Sequence, residues 1–191
     1  MILLVAAPVA CGGERSFTSK QLATIMPSAG DAPASTSIRA ELSGPKTLDE
    51  FIDAPEVRTK LKSLGFKVAY VATFATPNLP VDPLKAPNGA ALYATFGVLL
   101  RDANAAHEGF AFYETRSRSR ATNPIPVLVA GFGEDSVAFR FARLEETAFP
   151  GIAYLWRVGN ALFSVVGVGV PGPDPAATRA LAMKINVRVK R

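Results

Sequence analysis

The sequence predicts an α+β fold: a mainly antiparallel sheet with helices packed on one face, closed by a C-terminal helix. Three patterns carry this expectation. Residues 152–158 and 161–170 are apolar runs separated only by Gly159 and Asn160, and a glycine free to take a positive φ makes this a hairpin signal. Residues 67–75 and 136–144 alternate apolar with polar positions, the pattern of half-buried strands. Between the strands lie segments with helical periodicity and capping residues, so the two kinds of element interleave along the chain.

Taken in order, Thr18 or Ser19 caps a brief helix carrying Gln21, Leu22 and Ile25, which Pro27 ends. Residues 28–37 are rich in Ala, Ser, Pro and Gly and read as a loop, and 38–42 as a short strand. Thr47 and Glu50 have the spacing of a capping box, and Asp53, Pro55 and Glu56 repeat the signal a turn later. Two helical pieces kinked near Pro55 follow. Val57, Leu61 and Leu64 fall on one helical face, with Gly65 at the stop. In the next strand Val68, Tyr70, Ala72 and Phe74 share a side. Pro77, Pro80, Pro83 and Pro87 make 76–89 an irregular excursion. Residues 90–100 form a further strand. Asp102 then caps a helix through 115 that bears Ala103, Ala106, Phe110 and Tyr113. Residues 127–130 and 136–144 read as strands, the second with Val137, Phe139 and Phe141 opposite Arg140. In the hairpin Tyr154, Trp156 and Val158 share a face. Asp174 and Pro175 open the final helix, which points Ala177, Leu181 and Ile185 inward.

The chain has 191 residues, a length that suits one domain with a proper core. Its 15 glycines and 15 prolines imply many turns. With 21 basic against 16 acidic residues the net charge is +5, which favours anionic surfaces such as phospholipid headgroups or acidic envelope polymers. Zinc-finger, basic-zipper and glycine-aromatic RNA-binding signatures are absent, so nucleic acid is not an expected partner.

The N-terminus is the most specific feature. Residues 2–10 are an uncharged apolar run, too short to span a bilayer as a helix but suited to a secretory signal. The segment Pro8-Val9-Ala10-Cys11 resembles the bacterial lipobox, in which small residues precede a cysteine that is acylated before the signal is cleaved. The resemblance implies that 1–10 is a signal peptide, that 11–16 is a lipid-anchored tether, and that 17–191 is the α+β domain. It places lipidation, palmitate among the acyl groups, on Cys11, and the protein outside the cytoplasm on the cell membrane or outer membrane. The same residues also fit a signal cleaved without acylation, or an apolar first strand with a packed cysteine. A lipidated Cys11 is a thioether and is removed from any catalytic or metal-binding role. The body resembles the small extracytoplasmic lipoprotein domains that bacteria use for sensing or binding.

Few other groups suggest chemistry. Gly167-Val168-Gly169-Val170-Pro171-Gly172 matches the dinucleotide fingerprint, but it lies too near the C-terminus for the βαβ unit and acidic residue that such a site needs. The glycines read instead as close-packing and turn positions. His107 beside Glu108 has no companion nucleophile, and reads as a surface or packing residue rather than a general base. A structural zinc centre draws on several cysteines and histidines, and the chain has 1 of each, so no metal is expected. The pairs Asp49-Glu50, Glu134-Asp135 and Glu145-Glu146 are adjacent residues that point apart, and read as caps and turns. Arg116, Arg118 and Arg120 are the strongest binding candidates, because in an extended segment they form a basic comb for phosphates or acidic polymers. Gly131-Phe132-Gly133 and the loop at 79–84 are two further recognition candidates.

These readings converge on a lipid-anchored extracytoplasmic binding or sensor-type protein, not an enzyme, with no cofactor. A membrane, envelope proteins and acidic polymers are its expected partners. The alternatives are a structural or accessory subunit of an envelope complex and, third, a hydrolase.

Overall fold

The computed structural model describes residues 15–77, 79, 87–144 and 149–191. Residues 1–10 and Cys11 lie outside them, as do 80–84 of the proline-rich loop and the Glu145-Glu146 pair. The helices are α1 (Ser19–Ile25), α2 (Leu48–Phe51), α3 (Pro55–Ser63), α4 (Ala103–Arg120) and α5 (Pro175–Val189). The strands are β1 (Ser37–Ile38), β2 (Gly44–Lys46), β3 (Val68–Ala75), β4 (Ala91–Leu99), β5 (Ala121–Thr122), β6 (Ile125–Pro126), β7 (Asp135–Phe141), β8 (Arg143–Leu144), β9 (Gly151–Val158) and β10 (Ala161–Gly169). The main sheet runs β1-β3-β4-β10-β9-β7-β6, with β2 also on β3, and each of its pairings is antiparallel. β5 and β8 form a separate ribbon.

The expected antiparallel α+β class and C-terminal helix are what the chain adopts. The local signals act as anticipated at several ends. Thr18 and Gln21, and Thr47 and Glu50, form reciprocal capping boxes. Pro55 opens α3, and Asp174 accepts from the Ala176 and Ala177 amides at the start of α5. The hairpin turns at Gly159, whose φ is +53°. A side chain there would also run into the Arg15 carbonyl, so both conformation and space call for glycine.

The helices cover both faces of the sheet, which corrects the one-face expectation. On one face, α1 and α5 bury Leu22, Leu181 and Ile185 against Phe74, Trp156 and Phe163. On the other, α3 and α4 bury Val57, Leu61, Ala106 and Phe110 against Val98, Leu155 and Leu162. The reason is visible in β10, where Leu162 and Phe163 are adjacent and both fully buried. A strand that is apolar at odd and even positions alike needs cover on two sides.

Two strand boundaries also differ. Only Ser37 and Ile38 pair, and Ala40–Leu42 turns into a 3₁₀ helix. The edge strand is Ile125–Pro126, while 127–130 runs on outside regular structure with the Val127 amide bonded to the Ala138 carbonyl. Prolines at 124 and 126 leave few donors for a longer ladder.

A polar latch joins the N-terminal segment to α5. Asp31 accepts from the Ser28 amide at 2.9 Å and from Arg188 Nη2 at 2.8 and 2.9 Å, with Lys184 Nζ 3.7 Å away. Burial by itself would raise the Asp31 pKa, but the Ser28 amide, Arg188 and Lys184 outweigh it and hold the carboxyl below its ordinary value. A depressed folded-state pKa contributes stability that is fully present above the ordinary aspartate range and is lost as pH falls through the folded value. In urea denaturation, wild type is therefore expected to exceed Asp31→Asn at pH 7, with the gap closing on acidification below about pH 4. A gap that stays constant down to acid pH would show that the latch is not ionic.

Candidate functional site

The described residues line an open cavity of about 1020 Å³ between the sheet and the C-terminal half of α4. Its floor follows from strand register. Phe96 pairs with Ser164 and Ser164 with Leu155; Ala94 pairs with Val166, Val166 with Ala153, and Ala153 with Phe139. Leu92 and Val168 form the next row. These residues point to one face of the four central strands, where a sheet is ordinarily covered completely. Here Leu92, Ala94, Phe96 and Val166 stay half-exposed, while Tyr93, Thr95 and Val165 on the other face are buried.

The cavity arises from how α4 sits on the sheet. At its N-terminal end the small residues Ala105, Ala106 and Gly109 let the helix press close, and a Cβ at Gly109 would lie 2.9 Å from Leu100 Cδ1. Toward the other end the helix carries Tyr113, Arg116, Ser117 and Arg120, spaced i, i+3, i+4 and i+7. That spacing sets four polar groups in one stripe along the cavity. Phe51 at the end of α2 and Ile52 and Asp53 in the link to α3 add to the lining.

The stripe contains an unsatisfied group. Tyr113 is 8% exposed, its ring packs on Phe96 at 5.6 Å, and its hydroxyl is buried without a hydrogen-bond partner. Burial pushes the phenol pKa up, against a small opposing effect of Arg116, so the hydroxyl is neutral and can donate and accept. Leaving such a group unpaired costs about 1–3 kcal/mol.

The three candidate arginines do not form a comb. α4 runs past residue 115 to Arg120, because no glycine or proline interrupts 110–120 and Glu114 pairs with Arg118 at 3.1 Å. On a helix Arg116 and Arg120 share a face and Arg118 turns away from them. Arg116 lines the cavity and binds Glu56 at 2.7 Å, and Arg120 lines it one turn on. Arg118 instead lies over the Phe139 ring, 5.6 Å from its centre.

The other candidates are placed elsewhere. His107 Nδ1 is 2.9 Å from Asp135 Oδ2, which also accepts from Arg157 Nε at 2.6 Å, and Arg157 pairs with Glu134 as well. The Glu134-Asp135 pair thus belongs to a charge cluster at the hairpin end. Burial would raise the Asp135 pKa, but His107 and Arg157 together hold it low. Asp49 pairs with Arg58 at 3.3 Å and Glu50 caps α2. Phe132 is no recognition tip; it is buried and stacks on Tyr154 and against Trp156. Leu79 does line the cavity. The floor and Tyr113 were not legible as a site beforehand, since their residues look like ordinary core.

No helix among the described residues is long and apolar enough to cross a membrane. No protein-family model matches the chain, and no curated protein matches it in sequence. Among solved structures, it is similar to the extracellular domain of PknH from Mycobacterium tuberculosis, with a TM-score of 0.57 at 9% identity. The match covers 94% of this chain and 100% of that one. At that identity the likeness is one of fold, and the chain shares its fold with the extracellular domain of a mycobacterial kinase.

Proposed function

We propose that the protein is an extracytoplasmic binding or sensor module, held to a membrane through lipidated Cys11, and that the cavity beneath α4 is its ligand site. The observation that carries this reading is the pairing of a wide apolar floor with a buried, partnerless Tyr113 hydroxyl. Small-molecule sites are mostly apolar with a few placed polar groups, and this cavity lies at the upper end of their roughly 300–1,000 Å³ range. The fold shared with an extracellular kinase domain supports the compartment and the sensor class. Binding rather than catalysis is favoured by the lining, whose polar members are Asp53, Tyr113, Arg116, Ser117, Arg120 and Ser164, with no histidine or paired carboxylates.

An NMR titration of the full chain with small apolar molecules tests the site, using Cys11→Ser to remove the acyl acceptor. Shifts are expected at Leu92, Phe96, Leu155 and Val166, and to vanish in Ala94→Trp, which fills the floor. Shifts confined to other surfaces would overturn the assignment. Mass spectrometry of the native N-terminus tests the anchor: an acylated Cys11 is expected, and an intact Met1 would remove it.

A second reading, an accessory subunit of an envelope complex, is favoured by the edge segment at β6, where Ile125 and Leu128 are 62% and 91% exposed. Crosslinking in cells separates the two, because a stoichiometric neighbour captured through this edge supports the second.

A further inference from the structure

We infer that the ligand is an acyl amphiphile with an anionic head, its chain on the sheet floor and its head at the Arg116–Arg120 end of α4. This rests on the cavity being the ligand site, and names what it takes.

The shape of the floor selects a chain. Its middle row crosses four strands at a spacing of about 4.8 Å and three rows of alternate residues lie along them, so its greatest extents are about 14 Å by about 13 Å. Across that area the side chains are aliphatic or phenyl apart from the Ser164 hydroxyl. A polar metabolite would strip its hydroxyls of water there with almost nothing to pair them, whereas methylene groups lose nothing. The small residues Ala94 and Ala153 flank Val166 on its two neighbouring strands, which leaves low positions on either side of it that suit a flexible chain.

The polar groups select the head. Arg116 and Arg120 stand one turn apart on the same helical face, and Tyr113 lies one turn before Arg116. Arg116 is 23% exposed while its partner Glu56 is 58% exposed, so the salt bridge lies toward solvent. A guanidinium has five donors, and an ion pair with one carboxylate leaves others for a second anion. Among the lining residues the two guanidiniums of Arg116 and Arg120 stand against the single carboxylate of Asp53, so the balance of charge favours an anion. The Tyr113 hydroxyl then gains the partner it lacks, by donating to a carboxylate or ester oxygen. Carboxylate and phosphodiester heads share this chemistry, so a free fatty acid and an anionic phospholipid are its two sources.

Isothermal titration of the full chain carrying Cys11→Ser, with oleate, oleyl alcohol and dioleoylphosphatidylglycerol vesicles, tests the inference. Oleate or the phospholipid is expected to bind at least about tenfold more tightly than the alcohol, and whichever binds identifies the source. Arg116→Gln with Arg120→Gln is expected to remove that preference while the alcohol still binds. Tyr113→Phe is expected to weaken the anionic ligand about fivefold with an equal or higher urea midpoint, a combination that a purely structural tyrosine would not produce. Equal affinity for alcohol and oleate, unchanged by the arginine variants, would overturn the head assignment. Binding of small apolar molecules without any of the three long-chain ligands would overturn the ligand class and leave the cavity as a site. Binding of nothing at all would remove the site itself.

Discussion

Trp156→Ala is expected to lower the unfolding free energy by about 3–5 kcal/mol. Trp156 is fully buried at the centre of the face covered by α1 and α5. It stacks on Phe163 with ring centres 5.6 Å apart and meets Phe132 edge-on at 5.2 Å. Its Nε1–H has no partner, so the loss is one of packing and not of a hydrogen bond. Trp156→Phe should therefore cost distinctly less, because it keeps ring contacts and removes a buried unpaired donor. Urea denaturation of the three proteins measures both differences. A loss below about 1 kcal/mol in Trp156→Ala would mean that this core collapses around the gap. The cavity lies on the opposite face, so ligand affinity of the folded Trp156→Phe variant is expected to stay near that of wild type.

The second large effect is expected at Gly167. A Cβ there would lie 2.2 Å from Thr178 Oγ1 and 3.0 Å from its Cγ2. Thr178 cannot yield: it is fully buried, and its hydroxyl donates to the Asp174 carbonyl at 2.8 Å in the first turn of α5. Gly167→Ala must push α5 away from β10, at a cost of about 2–3 kcal/mol. Pairing it with Thr178→Ala removes the two closest contacts and leaves the Cβ at 3.2 Å, so the double variant should be more stable than additivity allows. Strict additivity in that cycle would show that the two residues do not compete for space. Of the glycines that mimic a dinucleotide fingerprint, Gly167 is thus explained by helix-on-sheet packing, and Gly169 by the close approach of the Gly172 and Ala90 carbonyls.

What could be read in advance depended on whether its cause was local. Capping at Thr18, Thr47 and Asp174 involves neighbours a few residues apart, and those helix starts lie where the sequence puts them. Alternation in β3, β7 and β9 assigns Phe74, Phe139 and Trp156 to their faces correctly, since strand period is a property of the strand itself. The arginine comb failed because no stop signal occurs after residue 115. The helix continued, and Arg118 parted from its two neighbours. Phe132 was misjudged because its glycine neighbours resemble a surface turn, while Tyr154 and Trp156 come from a distant strand to enclose it.

By itself the sequence determined the α+β class, the hairpin and the C-terminal helix, all of them written in spacing, caps and short motifs. Only the tertiary structure decided that helices cover both faces, that Asp31 latches onto Arg188, and that Tyr113, Arg116 and Arg120 look across a cavity at Ala94 and Val166. Those outcomes join residues from separate elements, and pairwise register across four strands is set by the packing of the whole sheet.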